Sequence, residues 1–283
     1  MLLGRGERRA AFVAIVAGLL GTGTSRAALF TDFTEAGRPV NGFQDDFTGT
    51  TRNADWRVIG ADVYAQSGDG TLQMTTAAGD PNKLVYSPAT PYNATAQNVL
   101  ALMRVNQSSV TDAFRGGVTV LSDAAGDGFN LHFREEGQNG PGRHFNLLDD
   151  RRAWGPATTD AGNPGQKVWT PNDYFWLRVV HAANAPTGTN NLANDANDLF
   201  GKVWRAGTGE PANFDVAWDR GGRDLGGLAG IAGPVANMLT DVSVDYILIQ
   251  AADLPTIQAI PEPATAGLLG LSALGLLARR RRA

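Results

Sequence analysis

The side chains able to do acid–base or nucleophilic chemistry are few and dispersed. The histidines are His132, His144 and His181, and none stands in the His-Glu-x-x-His spacing that places two zinc ligands on one helix face. Beyond residue 27 the glutamates are Glu35, Glu135, Glu136, Glu210 and Glu262. A retaining glycosidase needs two carboxyl groups about 5 Å apart. Glu135 and Glu136 are adjacent, so on a strand they point to opposite faces. No Gly-x-Ser-x-Gly elbow offers a serine nucleophile, and the absence of cysteine removes thiol chemistry and thiolate ligands. No catalytic residue is assigned, and the chain is expected not to be an enzyme. A glycan hydrolase or lyase with atypical residues is the alternative.

The remaining candidates would bind and not react. Asp123 and Asp127 bracket half of a calcium loop, Asp123-Ala-Ala-Gly-Asp127-Gly128, which lacks the third-position carboxylate and the later glutamate. Asn190–Asp198 is similarly rich in oxygen. Calcium is the one cofactor to weigh, and turn chemistry explains both runs equally well. Trp154 and Trp169 lie among glycines and prolines, where an exposed ring would stack on a sugar; Trp56, Trp204 and Trp218 read as core. Asn130, His132 and Arg134 alternate with Phe129, Leu131 and Phe133, and Trp176 alternates with Arg178 in the same way. If these polar faces line one concave groove, they bind glycan. The alternative is a solvated outer face.

Such side chains need a rigid scaffold, and the chain reads as strands throughout. Period-two alternation marks Phe129–Arg134, Phe175–Val180 and Val242–Ile249, the last with Val242, Val244, Tyr246 and Leu248 on one face. Val99–Val105 is nearly all apolar and reads as a central strand. Further strands are expected at Trp56–Ile59, Val63–Gln66, Thr71–Thr75, Leu84–Tyr86, Gly117–Leu121, Phe145–Leu148, Phe200–Trp204, Phe214–Trp218 and Leu228–Ile231. Glycine and proline clusters such as Ser67-Gly68-Asp69-Gly70 separate them. Irregular inserts are expected at Asp149–Thr170 and Ala182–Ala196. No amphipathic helix stands out between Phe30 and Leu254, so the middle is expected to be an antiparallel β-sandwich. The net charge of −4 gives no basic footprint for nucleic acid.

The order of these pieces resembles the concanavalin A-like lectin/glucanase jelly roll. The resemblance rests on Asp45-Asp46-Phe47, Trp56 leading a strand, Gly70-Thr71-Leu72, the Tyr174–His181 strand, and a closing Thr240–Ile249 strand with Val244-Asp245-Tyr246 that should return beside the first. It spans Phe43 to Ala251 and implies a sandwich domain over 43–251 that binds carbohydrate.

The ends are addresses. Arg5, Arg8 and Arg9, the apolar run Ala10–Leu20 and Ser25-Arg26-Ala27 make a secretory signal peptide over 1–27, read by the Sec translocon and signal peptidase, followed by a segment 28–42. At the other end, a linker 252–260 leads to Pro261-Glu262-Pro263, which is held extended by its prolines. The uncharged run Ala264–Ala278 follows, roughly 22 Å long as a helix against a hydrocarbon core of roughly 30 Å. Arg279, Arg280, Arg281 and Arg282 close the chain and would stay cytoplasmic. This arrangement over 261–283 closely resembles the PEP-CTERM sorting signal of Gram-negative bacteria. The resemblance implies exosortase as partner, Pro261, Glu262 and Pro263 as the recognised residues, and a transient inner-membrane anchor. It also implies release to the cell surface or an exopolysaccharide biofilm matrix. The expected product is an exported, non-enzymatic surface or matrix protein that binds exopolysaccharide, or one that is purely structural.

Overall fold

Alternation in the sequence becomes two faces per strand, and the apolar faces meet. The computed structural model describes residues 42–75, 82–87, 96–108, 113–135, 142–150, 154–157, 167–182, 198–219, 226–234 and 240–250. The signal peptide, the linker, the sorting tail with its 264–278 run, and 190–197 lie outside the described residues.

The first strands are β1 (Gly42–Asp45), β2 (Trp56–Gly60), β3 (Tyr64–Gln66), β4 (Leu72–Met74) and β5 (Asn82–Tyr86). The middle ones are β6 (Gln97–Ser108), β7 (Ala113–Ser122), β8 (Phe129–Glu135), β9 (Arg143–Asp149) and β10 (Trp154–Ala157). The last are β11 (Phe175–His181), β12 (Leu199–Arg205), β13 (Val216–Trp218), β14 (Leu228–Ala232) and β15 (Thr240–Gln250). They form an eight-stranded sheet, β13-β12-β11-β6-β15-β4-β3 with β1 also on β15, and a seven-stranded sheet, β10-β9-β8-β7-β14-β5-β2. Every named pairing is antiparallel, so the domain is the all-β jelly-roll sandwich that the resemblance implies.

The inner faces make one core. Val99, Ala101, Met103, Leu177 and Val179 from the larger sheet cluster with Val118, Leu131, Phe133, Phe145 and Ile231 from the smaller. The strand opened by Trp56 is tied in by Asp45, whose carboxylate accepts Trp56 Nε1–H at 2.8 Å and Phe47 N–H at 2.8 Å. Asp45 therefore locks the first turn, with Phe47 at a left-handed φ of 54° inside the core. The closing strand does return beside the first, pairing Ile249 with Phe43.

One strand is added and two expectations need correction. Gly42–Asp45 and Trp154–Ala157 are strands, although the second lay within an expected irregular insert. The insert also holds an antiparallel bridge between His144 and Val168. In β15 the alternation changes phase, because the register shifts between Val244 and Tyr246 and bulges Asp245. Val242 and Val244 face the core, then Ile247 and Ile249, while Tyr246 and Leu248 turn to the outer face beside Leu100 and Leu102.

Candidate functional site

The outer face of the seven-stranded sheet carries a buried polar row. Phe129, Leu131 and Phe133 of β8 point into the core, so Asn130, His132 and Arg134 point outward. Register adds their neighbours: His132 faces Asn146 of β9 and Gly117 of β7, Asn130 faces Thr119, and Arg134 faces His144. Gly117 leaves no room for a side chain, since a Cβ there would stand 1.9 Å from Leu131 O and 2.7 Å from His132 Cδ2. Lys83 of β5 reaches across to Thr119 Oγ1 at 3.1 Å and to Asp150. Asp150 also accepts Gly128 N–H at 2.9 Å and Asn130 Nδ2–H at 2.7 Å.

These groups are buried but not all satisfied. Asn130 is 0% exposed, His132 1% and Asn146 6%. Asn130 Oδ1, both ring nitrogens of His132 and Asn146 Oδ1 have no hydrogen-bond partner in the protein. Because Asn130 donates through Nδ2 to a carboxylate, its amide orientation is fixed and Oδ1 is a buried acceptor without a partner. Burial, with the nearby positive charges of Lys83 and Arg134, lowers the His132 pKa to about 3. The imidazole is therefore neutral at ordinary pH, offering one donor and one acceptor. The Phe114 ring lies 5.5 Å from it and carries the Arg134 guanidinium at 4.3 Å on its face.

The sequence grouped Asn130, His132 and Arg134 correctly on one face, but the single groove with Trp176 and Arg178 does not form. β11 belongs to the other sheet, so the two sets look out from opposite sides of the sandwich. Trp176 stacks on Trp204 at 6.2 Å and meets Tyr246 edge-on at 6.1 Å. Arg178 is 6% exposed, with Nε donating to Asn98 Oδ1 at 3.0 Å and Nη1 to Glu210 at 2.6 Å. Glu210 also takes Lys202, so Arg178 braces the turn after β12 instead of facing an open surface.

Trp169 is likewise not an exposed stacking ring. It is 2% exposed and sits edge-on to Phe133 at 5.7 Å. Its Nε1–H is shared between Arg134 O at 2.9 Å and His144 O at 3.0 Å, because the Val168 bridge pins this segment to β9. Trp169→Phe removes the donor from two buried carbonyls, and a loss of about 1–3 kcal/mol in urea unfolding is expected. Trp154 opens edge strand β10. Asp123 Oδ1 accepts the N–H groups of Ala125 at 2.8 Å and Asp127 at 3.0 Å, which is the turn reading. Among the described residues no group of three or more His, Cys, Asp or Glu could hold a metal. Glu135 is 1% exposed between Arg115 at 2.7 Å and Arg143 at 3.1 Å, a structural charge cluster.

Lys83, Thr119, His144, Asn146 and Asp150 were missed. His144 and Asn146 alternate with Phe145 and Leu147, a signal that the sequence does contain. Lys83 and Asp150 meet across 67 positions and leave no local trace.

Residues 259–282 match the family model described as the PEP-CTERM protein-sorting motif. The chain carries a PEP-CTERM sorting signal. The signal implies recognition by exosortase, and hence a secreted protein with a C-terminal membrane anchor that exosortase processes. No curated protein matches the sequence of this PEP-CTERM chain. Among solved structures, it is similar to the xylan β-1,4-xylosidase from Bacillus halodurans C-125 at 12% identity and a TM-score of 0.49, covering 73% of this chain and 38% of that one. The similar region thus spans less than half of the xylosidase. A Lotus tetragonolobus seed lectin aligns at 10% identity and 0.47, covering 74% and 97%. An alginate lyase solved with an alginate trisaccharide aligns at 11% and 0.41, covering 74% and 98%.

Proposed function

We propose that this is a non-enzymatic, exosortase-processed protein of the cell surface or extracellular matrix, and that its sandwich binds carbohydrate at the outer face of the seven-stranded sheet. One observation carries the reading: Asn130 Oδ1, Asn146 Oδ1 and both His132 nitrogens lie together, buried, with no partner in the protein. A buried polar group left unsatisfied costs about 1–3 kcal/mol. A sandwich could fill these positions with apolar residues, so their retention favours a ligand that supplies the missing bonds. Sugar hydroxyls donate and accept at once and match such a set. Since the atoms are shielded, a ligand has to enter the row, and association slower than about 10⁵ M⁻¹s⁻¹ is expected.

The same geometry supports binding without catalysis. A histidine with a pKa near 3 is a feeble base at neutral pH. Asp150 is fully engaged by Lys83, Gly128 and Asn130.

The test joins affinity to stability. Polysaccharide pull-down and a glycan array with the purified protein should give binding, and Asn146→Leu should weaken it by about tenfold. Because that change replaces a side chain whose buried Oδ1 is unpaired by an apolar group of similar size, melting should be unchanged or raised. No binding to any polysaccharide would remove the reading and leave a structural matrix protein. Release of new reducing or unsaturated ends from a bound glycan would overturn the non-enzymatic part.

A further inference from the structure

The turn after β1 and the end of β3 enclose an open cleft of about 340 Å³, at the small end of the range for ligand sites. It is lined by Gln44, Asp46, Asn53, Gln66 and Tyr246, with Asp45 behind them. Asp45 has both carboxylate oxygens engaged by the chain. Asp46 does not: Thr48 donates its N–H at 3.2 Å and its Oγ–H at 2.8 Å, both to Oδ1. Gln66 Nε2 donates to Gly49 O at 2.6 Å, while its shielded Oε1 has no partner. The buried Tyr246 brings its hydroxyl to the cleft, 3.4 Å from Gln44 Oε1. Among the described residues no lysine, arginine or histidine lines the cleft.

We propose that this cleft is a second saccharide site, which takes one or two neutral pyranose units. A carboxylate oxygen and planar amides side by side match vicinal hydroxyls, each able to donate and accept. The ring of Tyr246 is buried, so only its hydroxyl, at the floor of the cleft, is offered to a sugar hydroxyl. The negative charge of Asp46, with no cation among the described residues lining the cleft, disfavours uronates and phosphates. A divalent cation is the less fitting occupant, because a single carboxylate with a free oxygen is thin for six to eight oxygen ligands. The cleft belongs to the eight-stranded sheet and shares no residue with the polar row. With both occupied, one domain would hold two glycan strands; that bridging, unlike the cleft itself, rests on glycan binding at the row.

Saturation-transfer NMR on the purified protein, with cellobiose, mannobiose and galacturonate as probes, tests it. At least one neutral disaccharide should bind and galacturonate should not. Asp46→Asn keeps the turn acceptor and Tyr246→Phe keeps the ring. Each should weaken binding about tenfold with melting unchanged, and the same loss should appear in an Asn146→Leu background, where the row no longer contributes. Absence of neutral-sugar binding, indifference to Asp46→Asn, or preference for galacturonate would overturn the site. So would calcium chloride alone raising the melting temperature in the wild type and not in Asp46→Asn. Failure of the row reads out separately, as polysaccharide binding indifferent to Asn146→Leu.

Discussion

Between pH 6.5 and pH 3, His132 alone is expected to remove stability from the sandwich at about 1.4 kcal/mol per pH unit. Its folded pKa is lowered to about 3, against an ordinary value of 6.5. Above pH 6.5 both states hold a neutral ring and the residue contributes nothing to pH dependence. As pH falls below 6.5, the unfolded ring takes a proton that the folded ring refuses, so the unfolded state gains. The effect is about 2 kcal/mol at pH 5 and saturates below pH 3 at an order of 4–5 kcal/mol. Other groups also titrate in acid, so the informative quantity is a difference. Urea unfolding of wild type and His132→Gln at pH 7.5 and pH 5 should show the wild type losing about 2 kcal/mol more than the variant. Parallel losses would mean that the imidazole is not held neutral where it sits.

Removing Arg279–Arg282, or changing Glu262 to alanine, is expected to reduce release of the protein into the medium to background. The signal occupies 259–282, and the last described strand ends at Gln250, so neither change touches a described strand. If the apolar run behind Pro263 forms a helix, it would fall roughly 8 Å short of a hydrocarbon core, and its hold would then depend on the arginines at its end. Immunoblots of membrane and medium fractions would separate the outcomes: uncleaved chain retained or mislocated in the variants, cleaved chain released in the wild type. Normal release from either variant would count strongly against exosortase processing. Unchanged thermal melting of the sandwich should accompany both changes.

Most strands were legible because burial on one side writes itself as period two. Phe129–Arg134 could be assigned face by face, and Asn130, His132 and Arg134 fell on the correct one. What failed was of two kinds. The bulge at Asp245 inserts one residue into an apolar strand, and a period-two pattern through Val244 and Tyr246 cannot reveal it when both faces are apolar. The assignment of strands to sheets was also invisible: Trp176 and His132 occupy equivalent positions on their strands, and only pairing order puts them on opposite sides. Trp169 misled because flanking glycines and prolines suggest exposure, whereas one bridge from Val168 to His144 is enough to fold the ring inward. Its neighbour Val168, 64% exposed, is the side chain left outside.

The pairing of Gly42 with Gln250 fixes an order of events during export. β15 lies at the centre of its sheet, between β6 on one side and β4 and β1 on the other. It is also the final strand described, with only ten residues between it and Pro261. In a chain threaded from its amino end, the eight-stranded sheet therefore has an empty lane until about residue 250 emerges. At that moment the sorting signal is still within or just behind the membrane. Closure of the sandwich and presentation of the signal thus become neighbouring steps in time. A chain stalled before β15 would reach the outside with the long edge of β6 bare, and would tend to be cleared by proteases or to pair with a second such chain.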